Sequence, residues 1–82
     1  MFAFKQSEER LMDPFEIARL QQYFRTKFSL PNLSVRARPN KSDSAEVYFG
    51  DEFLGVIFRD DEDGEVSYDF NMAILEMDLP ER

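Results

Sequence analysis

Cysteine and histidine are both absent from the 82 residues of the chain. Without cysteine there are no disulfides and no thiolate sites. Without histidine the chain lacks the usual acid–base group near pH 7 and the ligand of most zinc sites. The sequence also contains no Ser-His or Cys-His pair and no phosphate-cradling glycine loop. It therefore predicts a protein that is not an enzyme and uses no cofactor. The alternative is a carboxylate- or metal-dependent enzyme.

Long apolar runs are missing as well. No stretch approaches the ~20 apolar residues that a membrane-spanning helix requires. The apolar start, residues 1–5, is too short for a signal peptide and is followed by Glu8 and Glu9. We therefore expect a cytoplasmic protein that does not bind a membrane.

The net charge of the chain is -7, and it is unevenly distributed. Residues 1–41 hold eight basic and four acidic residues (+4), whereas residues 42–82 hold two basic and thirteen acidic residues (-11). Nucleic acid is disfavoured as a partner, because its affinity rests largely on basic residues that neutralise phosphates. A polarised chain can attract copies of itself or a basic partner.

A helix start is recognisable near the beginning of the chain. Asp13 is a suitable N-cap, Pro14 suits the first helical position, and Glu16 completes a variant of the capping box. Met12 and Ile17 are spaced for a hydrophobic staple. The helix is predicted to end before Pro31. An apolar stripe recurs at three- and four-residue steps: Ile17, Leu20, Phe24 and Phe28.

Five segments after the helix have strand patterns, and one of them leads into the turn at Gly50 and Asp51. Residues 33–38 alternate apolar and polar side chains, which is typical of a half-buried strand. Gly50 and Asp51 form a two-residue hairpin turn before a strand over residues 52–59. An acidic loop, residues 60–64, then leads into a strand over residues 65–70. Alternation over residues 73–79 favours a short last strand over a helical turn.

The two turns predict the registers of the hairpins. The first turn pairs Tyr48 with Phe53, Val47 with Leu54 and Ala45 with Val56. A five-residue second loop pairs Arg59 with Glu65, Phe58 with Val66, Val56 with Tyr68 and Leu54 with Phe70. One face of the sheet then collects nine mostly apolar residues: Ala45, Val47, Phe49, Leu54, Val56, Phe58, Val66, Tyr68 and Phe70. The other face is more polar: Glu46, Tyr48, Phe53, Gly55, Ile57, Arg59, Glu65, Ser67 and Asp69.

An apolar cluster on this second, more polar face is the leading candidate for a partner-binding site. In the predicted registers Tyr48, Phe53 and Ile57 lie together across the tight hairpin. Exposed apolar residues flanked by charge commonly form a partner surface. The alternative is that residues 1–4 or the last strand fold over them. If a second copy covers them, the chain is a homodimer, the commonest closed assembly.

The acidic loop is the second candidate site, and its carboxylates are Asp60, Asp61, Glu62, Asp63 and Glu65. With Gly64 at the sixth position of a calcium-binding EF-hand loop, Asp61 and Asp63 fit the pattern. Arg59 and Phe70 then occupy the first and twelfth positions, where the pattern requires carboxylates. We therefore expect no metal ligand set. A module that binds a basic partner, or weakly binds a divalent cation, stays open as an alternative to a solvated loop.

Two stretches suggest a family. Residues 44–65 read SAEVYFGDEFLGVIFRDDEDGE and residues 67–79 read SYDFNMAILEMDL. With the preceding helix, from Asp13 to Leu79, they resemble a family of small alphaproteobacterial proteins that is catalogued only as a domain of unknown function. The resemblance implies a bacterial cytosolic origin and a stand-alone single domain. It carries no established activity, so it assigns no functional residue.

We predict an α+β fold in which one N-terminal helix packs on a four- or five-stranded antiparallel meander. Residues 1–12 form an N-terminal extension, residues 13–79 the single domain, and residues 80–82 a C-terminal tail. The predicted function is a non-catalytic protein-interaction module that binds a protein partner or itself.

Overall fold

In the part of the chain that the structure describes, one α-helix is followed by four β-strands. The computed structural model describes residues 12–62 and 64–81, without the side chains of residues 41 and 42. The elements are α1 (Pro14–Phe28), β1 (Leu33–Arg38), β2 (Lys41–Phe49), β3 (Glu52–Asp60) and β4 (Ser67–Met72). The strands form one antiparallel sheet in the order β1-β2-β3-β4. The predicted α+β fold, one helix on an antiparallel meander, is confirmed.

The helix begins as its sequence predicts, with one difference. Asp13 is the N-cap, its carboxylate accepts a hydrogen bond from the Glu16 amide at 2.7 Å, and Pro14 occupies the first turn. The Glu16 carboxylate binds Arg59 and Tyr68 of the sheet, however, and so fastens the helix to β3 and β4. Within the described residues, no helix is long and apolar enough to cross a membrane.

The core lies between α1 and one face of the sheet. The domain starts earlier than predicted, because Met12, which the prediction assigned to the extension, is buried in this core. Residues 1–11 lie outside the described residues. Phe28, the last member of the predicted apolar stripe, is exposed but stacks on the Phe24 ring at 5.8 Å. The buried apolar side chains are Met12, Leu20, Phe24, Leu33, Val35, Ala45, Val47 and Ile57.

The first hairpin turns at Gly50, which has φ of 61° and so adopts the left-handed conformation that the turn requires. The predicted pairing of Tyr48 with Phe53 is confirmed. One step further the register shifts, because Val47 pairs with Gly55 and Leu54 has no partner on β2. This extra residue on β3 is a β-bulge.

The bulge reverses the predicted facing of β3. Beyond it, Ala45 pairs with Ile57 instead of Val56, so that Ile57 points toward the helix and is 0% exposed. Val56 and Phe58, which were predicted to lie in the core, therefore point to the opposite face. Leu54 still packs against the core, because the bulged residue turns toward the helix.

The second hairpin also pairs differently from the prediction. Asp60 pairs with Ser67, which leaves a six-residue connection where five residues were predicted. Ile57 pairs with Phe70, not with Ser67 as the predicted register requires. The two differences compensate on β4: Tyr68 and Phe70 face the helix together with Val47, as predicted.

The predicted last strand is wrong. Residues 73–75 have no regular structure, and Glu76–Asp78 form a single 3-10 turn. Alternation alone does not make a strand, because a strand also needs a neighbour to accept its backbone hydrogen bonds. The apolar side chains of this segment stay exposed: Ile74, Leu75, Met77 and Leu79.

Candidate functional site

The sheet has a second face, turned away from α1, which we call the outer face. A central stripe of four apolar side chains from β2 and β3 runs along it, comprising Tyr48, Phe53, Val56 and Phe58. Phe53 and Phe58 are 51% and 41% exposed, and the other two are half-buried. The bulge produces this stripe, because it turns Val56 and Phe58 outward to join the hairpin aromatics.

The aromatic end of the stripe is held by a stack of side chains. The Arg36 guanidinium carbon lies 3.8 Å from the centroid of the Tyr48 ring, and the Phe53 ring meets Tyr48 edge-on at 5.6 Å. Arg36 also donates to the Gly50 carbonyl oxygen at 3.3 Å. Such cation–π and edge-to-face contacts fix the rings in place. The stack therefore holds the two rings in defined orientations on the outer face.

The Tyr48 hydroxyl is fixed as well. It donates to Glu46 Oε1 at 3.0 Å. This hydrogen bond, with the desolvation of the ring and the negative charge of Glu46, raises the pKa of Tyr48. The hydrogen bond to Glu46 and the Arg36 contact together hold the ring in place.

Charges of opposite sign lie on the two sides of the stripe. On the β1 side, Arg38 donates to the buried Ser44 hydroxyl at 3.0 Å and lies 3.8 Å from Glu46. On the β4 side, Asp69 is exposed beside Phe58, its cross-strand neighbour. An apolar centre between a basic and an acidic border is the usual anatomy of a protein-binding surface.

The structure brings together two of the three residues that the sequence predicts for the partner site. Tyr48 and Phe53 are in contact on the outer face. The prediction placed Ile57 on the wrong face, since the structure buries this side chain against the helix. Sequence reasoning missed Val56 and Phe58, because the bulge that turns them outward has no reliable signature in a single sequence.

The carboxylates of the acidic loop make local contacts. Asp60 Oδ1 accepts from the Glu62 amide at 3.1 Å, and Asp61 Oδ2 lies 3.5 Å from Arg59 Nη2. Glu65 is exposed, and Asp63 lies outside the described residues. Across residues 12–62 and 64–81, no group of three or more acidic side chains is placed to hold a metal ion.

A polar cluster joins the helix to the sheet on the inner face. Glu16 Oε1 accepts from Arg59 Nη1 at 3.1 Å, and its other oxygen accepts a short hydrogen bond from the Tyr68 hydroxyl. The Arg59 and Glu16 side chains are each 14% exposed, so solvent screens this pair less than a surface pair. No local pattern indicates this contact, since it joins residues that are 43 and 52 positions apart.

This cluster predicts a loss of stability at alkaline pH. Desolvation of the ring and the hydrogen bond to Glu16 raise the pKa of Tyr68 to about 12, from 10.0. The folded protein then holds the phenolic proton more tightly than the unfolded chain does, so stability is complete below pH 10 and declines from about pH 10 to 12. Urea unfolding at several alkaline pH values should show a shallower decline for Tyr68→Phe than for the wild type. Equal declines would contradict the assignment.

The comparisons with known proteins support the resemblance seen in the sequence. Residues 16–78 match a protein family described as "Protein of unknown function (DUF3126)". The chain has no match among curated proteins and none among solved structures.

Proposed function

The chain belongs to the DUF3126 family of unknown function, and we propose that it is a non-catalytic protein-interaction module that binds through the outer face of its sheet. The observation that carries this proposal is the central stripe, an apolar surface that stays partly exposed between charged borders. Exposed apolar residues that lie together and are rimmed by polar residues often mark a protein-interaction site.

The size of the outer face supports a small interface. Four strands spaced ~4.8 Å apart, two of nine residues and two of six, offer a face of roughly 20 by 25 Å. This area is about three fifths of the ~800 Å² that each side of a standard interface buries. Tyr48 and Arg36 are of the residue types that dominate binding energy in interfaces. The stack that holds them also limits the side-chain entropy lost on binding.

A second copy of the chain fits this face in one orientation. A two-fold axis parallel to the strands would lay one outer face on another, with the β1 side of each copy over the β4 side of its partner. Arg38 would then approach the acidic border that contains Asp69, while the two stripes meet at the centre. The perpendicular axis would place like borders together and is disfavoured electrostatically.

Matched substitutions test the proposal. Phe53→Glu and Phe58→Glu each place a charge on the stripe, whereas Phe15→Glu makes the same change on the far side of the helix, where Phe15 is 71% exposed. All three variants should keep the far-ultraviolet circular dichroism spectrum of the wild type. Sedimentation over a wide concentration range and quantitative capture from the native cytosol then measure binding to itself and to other proteins.

We expect wild type and Phe15→Glu to bind alike, and the two stripe variants to bind at least about tenfold more weakly, as when a central interface residue is lost. A chain that is monomeric at every concentration excludes the second copy as partner. Equal binding by Phe15→Glu and Phe58→Glu would contradict the role of the stripe.

The alternative from the sequence, an acidic loop that binds a basic partner, predicts a different response to salt. A contact made by exposed charges weakens steeply as ionic strength rises, while an apolar contact does not. For the stripe we expect the affinity for the captured partner to stay nearly constant between about 50 and 300 mM salt. We place the module in a bacterial cytoplasm, in line with the sequence features described above.

A further inference from the structure

The two edge strands of the sheet, β1 and β4, differ in whether side chains of the helix bind their backbone groups. At the β1 edge, the Val35 amide donates to Gln21 Oε1 at 3.1 Å, and Arg25 Nε donates to the Leu33 carbonyl oxygen at 2.6 Å. Gln21 and Arg25 lie one turn apart on α1, so the helix supplies two side chains that satisfy two backbone groups of β1. Such cover protects an edge against the addition of another strand.

The β4 edge has no such cover in the described part of the chain. Its only neighbour there is β3, and five of its six residues are exposed, the exception being the half-buried Phe70. The side chains alternate cleanly, with Tyr68, Phe70 and Met72 toward the helix side and the polar residues toward the outer face. An exposed edge strand presents a row of unpaired amides and carbonyls, which is a ready template for an added strand.

An apolar cleft lies beside this edge on the helix side. It has a volume of about 290 Å³ and is formed where α1, which packs mainly on β1, covers the inner face of β4 only in part. The cleft is lined by Leu20, Tyr23, Phe24, Ile57, Tyr68 and Phe70. Every second side chain of a strand added to β4 would point to this side of the sheet.

The negative charge around the β4 edge favours a basic partner segment. Residues 60–81 contain nine acidic residues and no Lys or Arg. Asp69 stands in the middle of β4 on the outer face, and the other eight acidic residues precede or follow the strand in the sequence. A second copy that paired edge to edge would bring these acidic edges together, which is unfavourable. A basic strand would find a carboxylate beside its central side chain.

We propose that β4 is a docking edge for an extended basic segment of another protein, which adds to the sheet as a fifth strand. Alternate apolar side chains of that segment enter the cleft beside Phe70, and the intervening Lys or Arg side chains lie beside Asp69. This inference concerns a different surface from the central stripe and does not rest on the function proposed for it.

A designed peptide tests the inference on the full chain. The probe is a fluorescent heptapeptide of alternating Val and Lys, and its control carries Glu in place of Lys. Two further versions carry N-methyl groups on alternate amides, one on the odd and one on the even positions. An added strand uses only one of these two sets for pairing, so one N-methylated peptide should bind and the other should not.

The protein variants are Asp69→Asn at the edge and, as the matched control, Asp43→Asn on β2. Fluorescence anisotropy should show binding of the Lys peptide and none of the Glu peptide. Asp69→Asn should weaken binding about two- to fivefold, as expected for loss of a cross-strand charge pair, and Asp43→Asn should leave it unchanged. Amide shifts in nuclear magnetic resonance (NMR) spectra should centre on Ser67–Met72.

Several results would overturn the inference. If both N-methylated peptides bind like the parent, the contact is a general charge attraction and not strand addition. If the Lys peptide does not bind, the edge is closed to it, for instance by residues 1–11 of the same chain. A dimer of the chain with protected β4 amides would assign the edge to a second copy. A loss of affinity in Asp43→Asn equal to that in Asp69→Asn would remove the role of Asp69.

Discussion

Replacing Gly55 with alanine is expected to lower the free energy of unfolding by about 3 kcal/mol, the upper end of the usual range for overpacking. A Cβ atom at this position would overlap the Asn71 carbonyl oxygen and lie 3.0 Å from both the Asn71 carbonyl carbon and the Met72 Cα. All three atoms belong to the backbone of β4, so they cannot move aside as the end of a flexible side chain could. The added methyl group would therefore push β4 away from β3.

Gly50→Ala is the matched control for this prediction. Gly50 has open space around its Cα, but its φ of 61° is unfavourable for alanine. This substitution should cost only about 1 kcal/mol, from backbone strain alone. Urea unfolding of the three proteins measures both effects. A Gly55→Ala variant as stable as the wild type would show that β3 and β4 are not as close as the structure has them.

The second large effect is expected at Ile57. This side chain is 0% exposed at the centre of the core, where it pairs with Ala45 on one side and Phe70 on the other. Ile57→Ala removes three carbon atoms and leaves a cavity between helix and sheet. We expect a loss of about 3–4 kcal/mol in the free energy of unfolding, within the ~2–5 kcal/mol typical of such changes.

The neighbouring residue provides the contrast. Phe58 is a larger side chain, yet it is 41% exposed on the outer face. Phe58→Ala should therefore lower the free energy of unfolding by only about 1 kcal/mol. The ring is already partly exposed in the folded protein, so unfolding exposes only the rest of its apolar surface to water. If Phe58→Ala proved the more damaging substitution, the facing of β3 would be the one that the sequence pattern predicts.

The facing of β3 was the feature that the sequence could not determine. In a half-buried strand, the alternation of apolar and polar residues identifies the buried face. In the sequence of β3, however, both alternating sets contain large apolar residues: Leu54, Val56 and Phe58 in one, and Phe53 and Ile57 in the other. Apolar residues therefore lie on both sides of the strand, and the facing is set by one unpaired residue, Leu54. A bulge of this kind has no reliable signature in a single sequence.

Elements with local causes were predictable. The helix start follows from Asp13 and Pro14, and the first hairpin follows from Gly50, since each residue acts on its own backbone. The predicted strand over residues 33–38 coincides with β1. The segment after β4 was mispredicted because its state depends on a distant feature. Residues 73–79 do alternate, but their sequence cannot indicate that the described sheet offers them no strand to pair with.

The candidate site depends on both kinds of feature. Tyr48 and Phe53 were found because a tight turn places them opposite each other, which is a local effect. Val56 and Phe58 joined the stripe only through the bulge. The open β4 edge could not be predicted from the sequence either. It differs from the β1 edge only because Gln21 and Arg25 cover β1, and these contacts join residues eight or more positions apart.

The central claim is that β3 turns Ile57 toward the helix and leaves the central stripe on the outer face. A two-dimensional nuclear Overhauser spectrum of the full chain tests it most directly, since it reports which protons lie within about 5 Å of one another. We expect cross-peaks from the Ile57 methyl groups to the Phe70 ring and none to the rings of Tyr48 or Phe53. Cross-peaks from Ile57 to Tyr48 and Phe53, with none to Phe70, would contradict it.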